Sequence, residues 1–234
     1  MSISRQNLSI VIVTFKSEKI IHHCISSIDN DIEIIVIENS NNIDFKIDIE
    51  KKYQNVRCYL SSKNLGMGAG NNLGISYAKT DYVFILNPDV VLENITIDQL
   101  ILASKKIESF AILSPLSSDK KYPNYKIKID KKNIIKINEP FKVKSVDGFA
   151  MLLNKKRIEK VRDEKNQNLF DENFFMYLEN DDLCKRALNK NEDIYIIPDA
   201  KIKHLGGKAV DSKYKDEIEF SRNWHWIWSK FYFN

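Results

Sequence analysis

Leu8-Ser9-Ile10-Val11-Ile12-Val13-Thr14 is a nearly unbroken run of β-branched residues, and it restricts the fold more than any other segment. A strand with one wet face alternates apolar and polar residues; a continuous run suits a parallel strand covered on both faces. The pattern repeats. Ile32 to Ile37 reads as a second buried strand ending at Glu38-Asn39-Ser40-Asn41-Asn42, Val56 to Leu60 as a third, and Asp81 to Leu86 as a fourth. Between them, Ile20, Ile21, Cys24, Ile25 and Ile28 form a stripe at helical spacing, and the stretch from Leu65 to Gly74 opens a helix through Ala78. Such alternation predicts an α/β protein with a Rossmann-like, mostly parallel central sheet, flanking helices, and ligand loops at the strand C-terminal ends.

At 234 residues the chain fits one large domain with a substantial core. The formal charge of +4 gives little reason to expect a nucleic-acid partner. The apolar runs are far short of the ~20 residues that span a bilayer, and the polar start leads straight into a strand, so no secretory signal is expected. Cys24, Cys58 and Cys184 are odd in number and widely spaced, which suits buried thiols in a reducing cytoplasm.

The glycines at 66, 68, 70 and 74 follow the third strand, and Asp89 ends the next one. A dinucleotide fingerprint needs its glycines after the first strand of the unit and an acid about 20 residues on. A nicotinamide site is therefore rejected; close helix–sheet packing and a nucleotide-facing turn both remain open. From Asp119 to Lys144 there are nine lysines against three acids (Asp119, Asp130, Glu139), a net +6 with weak periodicity. A solvated loop is expected there, and a face for anionic acceptors or membrane headgroups is the sharper alternative. The segment Val146 to Leu153 reads as a strand with a Gly turn, and Ile194 to Pro198 as another, with His204 beyond it. From Phe220 the tail carries Trp224, Trp226, Trp228, Phe231, Tyr232 and Phe233 among Arg222, His225 and Lys230. It reads equally as an interfacial membrane segment or as a helix packed on the domain.

Two acidic points stand out. A buried-looking strand ends on Asn87-Pro88-Asp89, and the run from Phe174 to Arg186 places Glu179, Asp181 and Asp182 where an apolar segment passes into a helix. Metal-assisted group transfer from a diphosphate requires this: one carboxylate to hold a cation against the phosphates, another to take a proton from the incoming hydroxyl.

The ordered set of Ile12-Val13-Thr14-Phe15, Glu38-Asn39-Ser40, Asn64-Leu65-Gly66, Gly70-Asn71-Asn72-Leu73-Gly74, Leu86-Asn87-Pro88-Asp89, Gly148, the Phe174–Arg186 run, Pro198-Asp199-Ala200 and His204-Leu205-Gly206-Gly207 resembles family 2 glycosyltransferases of the GT-A fold. The nearest flavour is the bacterial rhamnosyltransferase-like branch that builds O-antigens and capsules. The resemblance runs from Leu8 to about Lys208. It implies a nucleotide-sugar-binding half over residues 1–118, an acceptor-binding and catalytic half over 119–219, and an aromatic tail over 220–234.

It further implies that Thr14, Phe15, Glu38 and Asn39 hold base and ribose, with Asn64, Gly66, Asn71 and Asn87 also on the nucleotide-sugar side. Asp89 stands at the Asp-x-Asp position and should meet Mg²⁺ or Mn²⁺, with His204 completing the metal or diphosphate site. Gly148 and Asn180 should border the acceptor. Three departures matter: Asn87 for the first Asp of the motif, Glu38 where Asp is commoner, and Glu179-Asn180 for the usual Glu-Asp pair. An amide at 180 accepts no proton at neutral pH.

The expected reaction is an inverting transfer from a dTDP-rhamnose, UDP-sugar or GDP-sugar donor to a saccharide or lipid-linked saccharide hydroxyl, in the cytoplasm or at the inner membrane face. A helical wheel puts Leu183, Cys184, Ala187 and Leu188 in the buried stripe, Asp182 in an ion pair with Arg186, and Asn180 near the stripe's centre. Glu179 is favoured as base, Asp182 ranks second and Asp181 third. The competing readings are a nucleotidyltransferase, short of carboxylates for a second metal, and a non-catalytic nucleotide-sugar-binding module, motivated by Asn180.

Overall fold

A computed structural model describes residues 2–119, 123–127, 138–162, 168–206, 210 and 214–234, with the side chains of 215–218 outside that description. Half of the basic stretch (120–122 and 128–137), and Gly207 and Lys208, therefore lie outside it.

The chain runs β1 (Leu8–Thr14), α1 (Ile21–Ile25), β2 (Glu33–Glu38), α2 (Ile43–Lys52), β3 (Val56–Leu60), α3 (Gly66–Tyr77), β4 (Tyr82–Leu86), β5 (Val90–Leu92), α4 (Thr96–Lys106) and β6 (Ile112–Ser117). It continues with β7 (Tyr125–Lys126), β8 (Phe141–Lys142), β9 (Ser145–Val146), β10 (Ala150–Asn154), α5 (Lys155–Ile158), α6 (Glu179–Asn189), β11 (Ile194–His204) and α7 (Lys215–Phe233). The main sheet has the order β3-β2-β1-β4-β10-β6-β11-β5. β1, β2, β3 and β4 are mutually parallel, and β11 is parallel to β6. β10 enters antiparallel between β4 and β6.

All seven residues of β1 are buried, as the β-branched run predicts. Successive side chains point to opposite faces. Ile10, Ile12, Ile34, Val36, Phe84 and Leu86 join one core with Cys24 and Ile25 of α1 and Leu100 of α4. Val11, Val13, Ile35, Ile37, Val83 and Ile85 join the other, with Ile75 of α3 and Leu183, Cys184 and Ala187 of α6. Leu188, expected in that stripe, is exposed instead; five residues past Leu183 at 100° each carries it away from the sheet. The three cysteines are buried free thiols.

Register brings the site together. Thr14 pairs with Glu38 and Ile12 with Leu86, so β1, β2 and β4 end along one edge. Ala150 opposes Leu86, so the turn before β10, with Gly148, returns to the same edge. β11 is longer than the sequence suggests. An irregularity between Ile197 and Lys201 lets it continue past Pro198, and His204 is its last residue, opposite Val90. The glycines of α3 mainly serve close packing: a Cβ on Gly74 would lie 2.4 Å from Val11 Cγ1.

Candidate active site

Along that edge lies a cavity of about 530 Å³. Of the residues expected at the site, Thr14, Phe15, Asn39, Asn64, Gly66, Asn87, Asp89, Gly148, Glu179, Asn180, Asp181 and His204 line it. Glu38, Asn71 and Asp182 are not among its walls. Glu38 is buried and spends both carboxylate oxygens on its own turn, accepting from the Ser40 hydroxyl, from Ser40 N at 2.9 Å and from Asn42 N at 2.7 Å. Asn71 is buried in α3, with Oδ1 lacking a hydrogen-bond partner. Asp182 pairs with Arg186 at 2.7 Å, as the i,i+4 spacing predicts, though the pair is half-buried rather than exposed. Arg186 in turn donates to the carbonyls of Val161 and Leu169, so this acid braces the loop before α6.

On the β1–β2 side, Asn39 Oδ1 accepts from the Ser61 hydroxyl at 3.0 Å, and its Nδ2 donates to Gly66 O at 3.2 Å. Asn64 Oδ1 accepts Gly66 N at 3.0 Å. Gly66 has φ +77°, and a Cβ there would sit 2.2 Å from Phe175 O, the carbonyl that accepts Met67 N at 2.7 Å. Gly66→Ala is therefore expected to cost about 2 kcal/mol or more and to lower Tm by roughly 4–8 °C in a thermal melt. An unchanged Tm would show that the 66–67 and 174–175 segments are not locked together.

At the end of β4, Asp89 is 2% exposed. His204 Nε2 stands 3.4 Å from Asp89 Oδ1, close enough for attraction, yet neither that oxygen nor Asn87 Oδ1 has a hydrogen-bond partner. The Phe149 ring stacks on His204 at 4.0 Å between centroids and fixes its plane. A buried carboxylate oxygen facing an imidazole, with a buried amide oxygen on the same cavity wall and neither oxygen hydrogen-bonded, would fit a hard divalent cation. Among the described residues no group of three or more His, Cys, Asp or Glu side chains gathers to hold a metal.

Glu179 opens α6. Tyr177 and Leu178 before it both have left-handed backbones, φ 71° and 67°, an arrangement that costs non-glycine residues of order 1–2 kcal/mol each. Helix α7 holds this turn: Arg222 Nε donates to Tyr177 Oη at 3.1 Å and Ser229 Oγ donates to Met176 O at 2.8 Å, while Asn72 anchors the segment before it through Phe170 N and O at 2.9 and 2.8 Å. Glu179 is 7% exposed, and its Oε2 has no partner. Burial pushes its pKa up to about 7; its own backbone N–H lowers it and nearby Asp181 raises it. Asp181 is held differently, both oxygens accepting Lys126 Nζ at 2.9 Å. Asn180 Nδ2 donates to Val146 O at 2.8 Å. A Cβ on Gly148 would lie 3.3 Å from Asn180 Cβ and 3.6 Å from Glu179 Oε1, so that glycine lets the turn close over α6.

The chain matches the family model "Glycosyl transferase family 2" over residues 9–177. It belongs to glycosyl transferase family 2. Low-salt glycan biosynthesis hexosyltransferase Agl10 of Haloferax volcanii is 26% identical over 204 residues, covering 80% of this chain and 64% of the relative. Rhamnosyltransferase WbbL of Escherichia coli is 27% identical over 81% of this chain and 80% of its own length. The dTDP-rhamnosyl transferase RfbF of Shigella flexneri is 26% identical, covering 87% and 71%. The crystal structure of GalNAc-T7 with UDP, GalNAc and Mn²⁺ superimposes with a TM-score of 0.67 at 13% identity, over 85% of this chain and 43% of that one. A structure of S. aureus TarS gives 0.60 at 17% identity, over 84% and 60%. The family 2 chain thus has the expected GT-A architecture and spans under two thirds of the length of several proteins it resembles.

The neighbours of Gly148, Asp147 and Phe149, line the cavity as well, and so do Met176, Ser221, Arg222 and Trp226, to which the sequence assigns no site role. Asp147 has its pKa raised by burial and then by Asp181, against Lys126 and His204. Its neighbour Gly148 was the available signal. Arg222 and Trp226 carried none, because nothing in the local sequence shows where α7 turns back.

Proposed function

We propose that this chain is an inverting glycosyltransferase that moves a sugar from a nucleoside diphosphate donor to a hydroxyl of a glycan or lipid-linked saccharide in surface polysaccharide synthesis. The observation that carries the reading is the buried carboxylate of Glu179, its Oε2 without a hydrogen-bond partner, lining the same cavity as the Asp89–His204 pair. Acceptor deprotonation and leaving-group stabilisation are then built into two walls of one site. The names of the relatives support a dTDP-rhamnose or other hexose donor.

Residues 1–118 take the nucleotide through Thr14, Phe15, Asn39, Asn64 and Gly66, and 119–219 bring the acceptor beside Gly148 and Asn180. Asp89 and His204, with Asn87 Oδ1 adjoining, would hold Mg²⁺ or Mn²⁺, which when bound offsets the charge growing on the departing diphosphate. The Mn²⁺ and UDP of the GalNAc-T7 structure support this choice of ion. Glu179 takes the proton of the attacking hydroxyl as the anomeric carbon passes through an oxocarbenium-like state. Asp181, neutralised by Lys126, is poorly placed to compete for that proton. Calorimetric titration of dTDP-, UDP- and GDP-sugars, followed by donor-hydrolysis assays, tests the reading. Binding of none of them would sink it, and binding without turnover would favour the non-catalytic module.

Attachment to the inner membrane face belongs to the same reading. No helix among the described residues is long and apolar enough to cross a membrane. α7 nevertheless has two apolar faces. One packs on residues 171–177; the other exposes Phe220 at 80%, Trp224 at 61%, Ile227 at 66% and Phe231 at 79%, an i, i+4, i+7, i+11 stripe. An aromatic stripe beside Lys230 suits an interface with anionic lipid. Changing those four residues to Ser is expected to abolish flotation with anionic liposomes; undiminished flotation would remove the helix from that role.

A further inference from the structure

The matched family region ends at Tyr177, so α7 lies beyond it, yet Ser221, Arg222 and Trp226 form part of the cavity wall. Their placement is firm. Trp226 meets the Tyr177 ring edge-on at 5.5 Å, His225 stacks on Phe175 at 4.2 Å, and Ser229 is fully buried against Met176 O. Arg222 is half-buried and donates Nε to Tyr177 Oη at 3.1 Å.

Among the described residues that bond leaves most of the Arg222 guanidinium donors uncommitted. Arg222 makes no ion pair with any described residue, although Asp89, Asp147, Glu179 and Asp181 all line the same cavity. Lys126, the other described Lys or Arg of the lining, is held by Asp181. Among the described residues, then, one strong cation faces the cavity without an acid. A guanidinium has five donors in a planar fork, and the fork matches phosphate oxygens two at a time. The Tyr177 hydroxyl holds the Nε edge of that fork.

We propose that Arg222 is a substrate-binding residue that grips a diphosphate group. The proposal rests on the glycosyltransferase reading for the presence of such a group, which the nucleotide donor carries and a diphosphate-linked lipid acceptor would also carry. α7 thus closes the site with a charge as well as supporting the turn before Glu179.

The test is calorimetric titration of UDP, dTDP and GDP, with uridine, thymidine and guanosine as references, against the full chain and its Arg222→Ala and Arg222→Lys variants. Arg222→Ala is expected to weaken the preferred nucleoside diphosphate at least about tenfold while nucleoside binding stays put. Arg222→Lys should recover part of the loss, because a lysine keeps the charge without the fork. If nucleotide binding is unchanged, KM is compared for one saccharide acceptor with and without a lipid diphosphate. A rise confined to the diphosphate-bearing acceptor assigns the grip to that substrate. Unchanged nucleotide binding together with unchanged acceptor KM overturns the proposal and leaves the glycosyltransferase reading intact. Failure of the wild-type chain to bind any nucleoside diphosphate overturns both, and an equal loss of nucleoside and nucleotide binding reduces Arg222 to a structural role.

Discussion

Glu179→Gln is expected to lower turnover at least ~10²-fold while donor affinity stays nearly unchanged, because the substitution keeps size and polarity but removes the proton acceptor. The pH dependence should identify the same group. A base with a pKa near 7 is inactive when protonated, so turnover should rise with pH through about 7 and then level off. Glutamine at this position should abolish that limb in whatever activity remains. Linkage gives a second reading of the raised pKa. Between the ordinary value of 4.5 and about 7, the folded chain keeps a proton that the unfolded chain has lost, so stability falls as pH rises across this window. The Gln variant should lack that decline. Wild-type turnover in Glu179→Gln, with Asp182→Asn dead, would reverse the assignment despite the commitment of Asp182 to Arg186.

Asp89→Ala is expected to reduce turnover by about 10³-fold, and excess chelator to do the same to the wild type, since both remove the stabilisation of the leaving diphosphate. Stability should move the other way. Asp89 is a buried carboxylate whose Oδ1 has no hydrogen bond, so the free protein should melt no lower, and even slightly higher, without it. That opposite pair of signs separates a functional acid from a structural one. Full activity in chelator would refute the cation assignment, whatever Asp89→Ala does.

How far the sequence reached depended on whether burial showed in the local pattern. β1, β2 and β4 are legible because they are buried on both faces almost throughout and consist of little besides Ile, Val, Leu and aromatics, whereas the edge strand β3 alternates buried Val56 and Cys58 with exposed Arg57 and Tyr59. α2 shows how that signal misleads. Ile43, Phe45, Ile47 and Ile49 alternate with polar residues as a strand would, yet Asn42 caps a helix by accepting Phe45 N at 3.0 Å. Only Phe45 and Ile49 are buried, while Ile43 and Ile47 are exposed. The tail suits both a packed helix and an interfacial one because both faces of α7 are aromatic, and the structure packs only one of them. At the site, Asp89, His204 and Glu179 were legible from their positions at element ends. What one residue's oxygens are already doing was not. Glu38 stands where a ribose ligand is expected and instead holds its own turn, and the three acids after Leu178 differ mainly through Lys126 and Arg186. Lys126 lies 55 residues before Asp181, a contact that only the fold creates.

Glycosyl transfer with inversion, driven from Glu179, is tested most directly by ¹H NMR of the first product formed from whichever sugar nucleotide the chain accepts. The anomeric proton of the transferred sugar should report the configuration opposite to that of the donor, and the signal should be nearly absent with Glu179→Gln. A product with the donor's own configuration, or one formed at full rate by the Gln variant, would contradict a single displacement assisted by that carboxylate.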